Sequence, residues 1–483
     1  MNLKLILRTL GMLLLVEAVC MVPSLFVSLA YGQGDWWAFV FSILATGGTG
    51  AILRLLKPKV SEFYAKDGFA LVGLSWLAIS VFGAIPYILG HAMDSPADAL
   101  FESVSGFSTT TASVLDNIES LPHGIIFWRS FTNWLGGMGI LMLLLAAGRL
   151  AKPGSFHIVQ AETPGPYVEK FSPKMGRVAK LLYIIYAGIT VVIALMLMAG
   201  GMSLFDAVVH ALGTVSTGGI SSKNYSVGEF GSVYVNAVVG IFMFLCGARL
   251  SAFKLIFEGK WKEAIFEEET KFYFFIALIS TALIAADLAL TKTAGAWDSV
   301  LLSSFQVSSS ITSTGFYIAD YNKWPLFSKI VLLFLILMGG CSGSTSGGLK
   351  SMRALLLLKS AKLEMEKILH PKLFAGAKLN GKVVSTEDLT GVHSFFFLYI
   401  AVIAVASAII SLDGLDVTTT VSAAVAALSN IGTGFGAIGP GGNYSGFSGL
   451  SKMVLSFCML LGRLEIYPAL ILFMPKFWRK SNI

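Results

Sequence analysis

Backbone carbonyls and hydroxyls are natural ligands for a partly dehydrated monovalent cation, and the chain gathers such groups in four short runs. The clearest is Ser310-Ile311-Thr312-Ser313-Thr314-Gly315-Phe316. Weaker copies are Ser108-Thr109-Thr110-Thr111, Val215-Ser216-Thr217-Gly218 and Ser429-Asn430-Ile431-Gly432. Each lies between two hydrophobic segments of membrane-spanning length. Backbone that leaves helical geometry at membrane depth must be buried in protein or line a watery cavity, because lipid cannot satisfy its amides and carbonyls. Taken singly, each run reads best as a surface hairpin; four in phase read as one pore.

Other chemistries find little support. Cys20, Cys246, Cys341 and Cys458 sit in apolar or glycine-rich surroundings without CxxC spacing, which argues against a disulfide framework or a zinc site. Gly434-Phe435-Gly436-Ala437-Ile438-Gly439 fits the dinucleotide fingerprint, but it follows an amphipathic helix and precedes Pro440, so it reads as a loop exit. Gly343 to Lys350 resembles a phosphate loop, yet Leu349 stands where a glycine should precede the lysine, and no strand comes before it. No catalytic constellation is expected, and the chain is not read as an enzyme.

Composition determines the elements that must position these runs. The 483 residues are 55% hydrophobic and 13% charged, and the mean hydropathy is +0.75, which describes an all-α polytopic membrane protein. The first apolar segment, Leu5 to Ala30, follows Lys4 and Arg8 like a signal peptide. It exceeds the about 7–15 residues of a secretory core and approaches the roughly 20 needed to span, so it is read as an uncleaved helix. A second helix spans Trp36 to Leu56, and a basic loop follows.

From there one module repeats four times: spanning helix, short amphipathic helix, polar glycine turn, second spanning helix. The outer helices are expected at Gly68–Leu89, Leu181–Ala199, Tyr273–Leu290 and Ser394–Ile410. The inner ones are expected at Ile125–Leu150, Val233–Phe257, Leu326–Leu358 and Leu450–Met474. This gives an N-terminal pair over 1–66 and pore repeats over 67–177, 178–268, 269–385 and 386–483, in pseudo-fourfold arrangement around one central pore. Asp98, Asp206, Asp298 and Asp416 are read as N-caps of the short helices, whose carbonyl ends then converge where a cation would sit.

Lysine and arginine cluster at Arg149–Arg177, Lys254–Lys271, Lys350–Lys382 and Lys476–Lys480, which the positive-inside rule places in the cytoplasm together with both termini. That bias accounts for the net charge of +7, and the basic loops lack any nucleic-acid module. The third inner helix is interrupted by Gly339, Gly340, Gly343, Ser344, Gly347 and Gly348, whose freed carbonyls are expected to face the pore. Arg463 precedes Lys476 by about 20 Å of helix at roughly 1.5 Å per residue, too far to be a terminal anchor. A charge at that depth must pair or face water, with Glu465 or the carbonyls of 339–348 as candidate partners. Arg249 is left open between function and anchoring.

At these residues the chain resembles the Trk/Ktr/HKT superfamily of potassium transporters, and specifically its TrkH-type membrane subunits. The motifs that carry the likeness are Asp98-Ala99-Leu100-Phe101-Glu102, Trp134-Leu135-Gly136-Gly137-Met138-Gly139, Ser216-Thr217-Gly218-Gly219, Ser313-Thr314-Gly315-Phe316, the run Gly339–Gly348 and Gly462-Arg463-Leu464-Glu465. The resemblance implies a bacterial inner-membrane potassium uptake subunit, usually a homodimer, regulated by a cytosolic TrkA-type nucleotide-binding ring. It implies an intramembrane gating loop at 339–348. It also implies a potassium-binding filter at Thr110, Thr111, Thr217, Gly218, Thr314, Gly315, Ile431 and Gly432, with Thr111 standing where the family has glycine. A β-branched residue resists positive φ, so the first quarter of the filter is expected to aim its carbonyl differently.

Two alternatives to potassium uptake stay open: a sodium-permeable or weakly selective monovalent cation transporter, and an ion-coupled carrier of a small solute. Coupled carriers place acidic residues at the midplane, and apart from Glu17 and Glu465 the expected spans offer almost none.

Overall fold

In a computed structural model the chain is described over residues 2–58, 65–93, 95–139, 175–370 and 376–478. The second half of the first inner helix, the basic positions Lys59, Arg149, Lys152, Lys170 and Lys174, and Lys372, Arg479 and Lys480 lie outside the described residues.

The first two helices, Leu3–Tyr31 and Trp36–Arg54, form an antiparallel hairpin. Small residues bring the two backbones together: a Cβ on Gly11 would lie 2.7 Å from the Gly50 carbonyl, and one on Gly50 would lie 2.8 Å from that of Gly11. Four repeats follow, as expected. Their outer helices are Ala65–Gly83 continued by Ile85–Leu89, then Met175–Ala199, Glu268–Leu290 and Thr386–Ile410. Together with the hairpin, these give six helices among the described residues that are long and apolar enough to cross a membrane. One face of each packs inward and the other meets lipid. In the third repeat Tyr273, Ala277, Ile284 and Leu288 are buried along a helical stripe, while Phe274, Phe275, Leu278 and Leu283 are exposed.

The short helices are Pro96–Phe107, Leu204–Val215, Ala296–Ile311 and Val417–Leu428. The expected aspartate caps need correcting in three of them. Ser95, Ser203 and Gly295 are the N-caps there, and Asp98, Asp206 and Asp298 sit in the first turn. Serine accepts from a first-turn amide equally well, and the carboxylate still complements the positive helix end. Only Asp416 caps its own helix, accepting from the Thr419 amide at 3.0 Å. The Thr419 hydroxyl and amide hold the Asp416 carboxyl below the usual aspartate range, so its contribution is present at neutral pH and is lost as pH falls through that lowered value.

The inner helices differ most from expectation. They are His123–Met138, Val233–Cys246, Leu326–Met338 and Gly449–Leu464, of 16, 14, 13 and 16 residues. Each therefore covers about 20–24 Å, less than the roughly 30 Å of a hydrocarbon core. The sequence suggested a break only in the third, but all four stop. The chain turns to positive φ at Gly139, Gly339 and Glu465, and in the second repeat it pauses over 247–249 before Leu250–Phe257. A further departure from all-helical structure is a two-residue hairpin, Lys378–Leu379 on Lys382–Val383, turned by Asn380 and Gly381, both at positive φ.

The first short helix is pinned by charge. Glu102 and Arg129 are 3% and 2% exposed and pair at 2.6 Å, and Glu102 also accepts from the Val114 amide at 3.1 Å. Asp98 pairs with Lys452 of the fourth inner helix at 2.7 Å. Removing one partner of a buried pair leaves an uncompensated charge, a loss of about 3–5 kcal/mol. Glu102→Met or Arg129→Met alone should lower the melting temperature in detergent more than the double substitution does. Equal losses in single and double variants would contradict this.

Candidate functional site at the convergence of four loops

Each short helix ends on a hydroxyl C-cap: Ser108, Ser216, Thr312 or Ser429. Two residues later the amides of Thr110, Gly218, Thr314 and Ile431 donate to the carbonyl five residues back, at 2.9, 3.0, 2.9 and 3.0 Å. Left-handed residues flank each of these positions: Thr109 and Thr111, Thr217 and Gly219, Ser313 and Gly315, Asn430 and Gly432. The four loops thus share one backbone course.

This course corrects two expectations. In the second loop, Gly219 rather than Gly218 occupies the left-handed place of Gly315 and Gly432, and Gly218 matches Thr110, Thr314 and Ile431. A Gly-Gly pair leaves a one-residue ambiguity in sequence that only the backbone resolves. Thr111 has φ 63°, beside 70°, 85° and 72° at Gly219, Gly315 and Gly432. It therefore takes the handedness of the glycines instead of departing from it, at a cost on the order of 1–3 kcal/mol that its surroundings must hold.

The loops close on one another. A Cβ on Gly219 would lie 2.0 Å from the Thr314 carbonyl, one on Gly315 would lie 2.4 Å from that of Ile431, and one on Gly432 would lie 2.1 Å from that of Thr110. Glycine at these positions is required by the approach as well as by φ. Further out, the exit strands clasp in the same order. Asn224 accepts from the Ile118 amide at 2.7 Å, Gly228 donates to Tyr317 at 3.2 Å, Asn322 exchanges two bonds with Gly436, and Tyr444 donates to Ser113 at 2.8 Å. The run 434–439 belongs to this clasp, as a loop exit should.

Beneath the loops lies the interruption of the third inner helix. Gly339, Gly343 and Gly348 have positive φ. A Cβ on Gly340 would lie 2.8 Å from the Gly247 carbonyl, and one on Gly347 would lie 2.1 Å from that of Ser429. Ser344 donates to the Cys341 carbonyl and shares a bond with Ser346, each at 2.6 Å. Arg463 reaches across: Nη2 donates to the carbonyls of Gly136 at 2.5 Å and Gly137 at 2.6 Å, and Nη1 donates to that of Thr345 at 3.1 Å. The 339–348 segment was an expected partner, while the end of the first inner helix was not.

Several participants were not singled out in sequence. Thr345 contacts the Thr217 hydroxyl at 3.0 Å and the Val215 carbonyl at 3.3 Å, joining the interruption to the second loop. Lys350 and Arg353, counted with the cytoplasmic basic cluster, are buried. Lys350 donates to the Ser346 carbonyl, and Arg353 pairs with Glu465 at 2.5 Å. Their position directly after a glycine-rich break in an apolar span was the available signal. Arg249 pairs with Glu267.

Fold and site together define a polytopic helical transport protein whose four re-entrant loops meet on one axis. The sequence profile of the TrkH family, described as cation transport protein, matches residues 37–480. Relatives named Trk system potassium uptake protein TrkH include those of Halomonas elongata, 35% identical over 99% of this chain and 100% of the relative, and of Escherichia coli, 33% identical over the same shares. The crystal structure of the potassium transporter TrkH from Vibrio parahaemolyticus superposes with a TM-score of 0.90 at 30% identity, covering 99% of this chain and 100% of the other. The chain belongs to the TrkH family of cation transport proteins.

Gly219→Ala and Gly432→Ala, which put a Cβ into a neighbouring loop's carbonyl and strain the native φ, should each abolish rubidium uptake into proteoliposomes while the protein still elutes as a monodisperse peak. Retained uptake in Gly219→Ala would return the second loop to the register with Gly218.

Proposed function

We propose that the chain is the membrane subunit of a potassium uptake system and conducts potassium through a filter formed by the four loops. The observation that carries this reading is their cyclic packing, with the carbonyls of Thr110, Thr314 and Ile431 against the left-handed glycine of the preceding loop. Carbonyls and hydroxyls converging from four sides can replace a hydration shell without any acidic ligand. The names of the relatives point to the same ion. Filter positions are Thr110 and Thr111, Gly218 and Gly219, Thr314 and Gly315, Ile431 and Gly432, with Thr217 at the loop's inner turn. Thr111 keeps a weakly selective or sodium-permeable variant of the reading in play, because a threonine in one quadrant leaves the ring chemically asymmetric.

Residues 339–348 form the gate in this reading, held shut by Arg463. The guanidinium lies under the loops and grips Thr345, so it repels a passing cation and pins the interruption at once. The regulator is a cytosolic TrkA-type nucleotide-binding ring docked on the basic ends of the repeats, with the subunit a homodimer in the bacterial inner membrane and both termini cytoplasmic. Exposed charge at Lys378 and Lys382 supports such docking.

Two outcomes test the reading in proteoliposomes. Arg463→Ala should raise potassium flux above wild type; flux at or below wild type in a folded variant would remove the gate assignment. Thr111→Gly should raise the potassium-to-sodium permeability ratio in reversal-potential measurements. A fall would mean that the threonine hydroxyl is the better ligand.

A further inference from the structure

The four loops share a hydrogen bond that two of them cannot make alone. In the first loop the C-cap hydroxyl of Ser108 bonds that of Thr110, two residues on, at 2.7 Å. In the third, Thr312 bonds Thr314 at 2.6 Å. In the fourth, the matching residue is Ile431, which has no hydroxyl, and Ser429 bonds instead to Tyr399 of the outer helix at 2.7 Å. In the second, the matching residue is Gly218. There Ser216 Oγ lies 2.7 Å from Asn133 Oδ1, of the inner helix of the first repeat, and 2.8 Å from the Leu212 carbonyl of its own helix, between which its proton is shared.

Asn133 also occupies the missing side chain's space. A Cβ on Gly218 would lie 1.9 Å from Asn133 Oδ1 and 2.4 Å from its Cγ and Nδ2. Gly218 is not among the residues at positive φ, so its φ does not demand glycine, and the three atoms nearest to an added Cβ all belong to the asparagine. On its other edge, Asn133 Nδ2 donates to Thr111 Oγ1 at 3.4 Å. Asn133 is fully buried. Its amide thus bridges the first and second loops, the junction where no glycine-to-carbonyl approach of the kind seen at the other three is found among the described residues.

We propose that Asn133 is a selectivity-determining positioning residue, an inner-helix amide that stands in for the absent side chain at Gly218 and holds the hydroxyl of Thr111. The inference rests on the filter reading above. It explains together why the second loop carries glycine where backbone geometry does not ask for it, and what steadies a left-handed threonine in the first loop.

A volume exchange tests it. Asn133→Ala should lower the potassium-to-sodium permeability ratio about five-fold, the equivalent of one lost hydrogen bond. Gly218→Thr alone should clash with Asn133 and lose more, in both ratio and melting temperature. The double variant, whose threonine can bond Ser216 as Thr110 bonds Ser108, should recover above the Gly218→Thr single on both measures. A double variant no better than Gly218→Thr, or Gly218→Thr behaving as wild type with Asn133 in place, overturns the proposal. Melting temperature keeps the exchange readable if a variant does not conduct. Gly315→Ser separates the two readings: no change in its flux or ratio would bring down the filter itself, whereas a lowered ratio there with no rescue in the exchange brings down Asn133 alone.

Discussion

Backbone groups freed inside a membrane have no water to turn to, and this requirement organises the structure. Four inner helices stop short of a full span, so their last carbonyls need donors from elsewhere in the protein. Those of Gly136 and Gly137 take Arg463, that of Gly247 takes the Cys341 amide, and that of Gly339 takes the Ser351 hydroxyl at 2.9 Å. Each donor comes from a different repeat or from the far side of the same break. The breaks of the first three inner helices are thereby tied to one another through Arg463 and the 339–351 segment.

The same requirement decides where charge is tolerated. Arg463, Lys350 and Arg353 are buried or nearly so, and each donates to a carbonyl of the stitched region or pairs with Glu465. A cation at such a place is costly unless its donors are used, and here they satisfy acceptors that would otherwise be stranded. Arg463 serves three carbonyls, so withdrawing it removes a donor from all three at once.

Around the axis, steric approach replaces charge as the ordering principle. Three of the four loop junctions bring a glycine against a neighbouring carbonyl, which tolerates no side chain. The fourth is filled by an asparagine amide, and the first loop accepts a threonine at a φ that glycine would adopt freely. Pseudo-symmetry of backbone survives although the side chains differ, because each loop satisfies the same C-cap hydroxyl from whichever element is near: Thr110, Asn133, Thr314 or Tyr399.

Hydropathy, the repeated hydroxyl runs and the glycine cluster in the third inner segment were enough to read a helical membrane protein of four repeats, since these features depend only on local composition and period. Arg463 was legible because a basic charge that far from either end of a long apolar span must pair or face water. What the sequence could not determine depends on contacts between distant segments. The break in the second and fourth inner helices, the register of the Gly218-Gly219 pair, the burial of Lys350 and the left-handed φ of Thr111 all follow from how other segments pack against them or from backbone approach. Asn133 shows the limit most clearly. In sequence it is one polar residue in an expected spanning helix, and only the tertiary structure places it in the space that Gly218 leaves open.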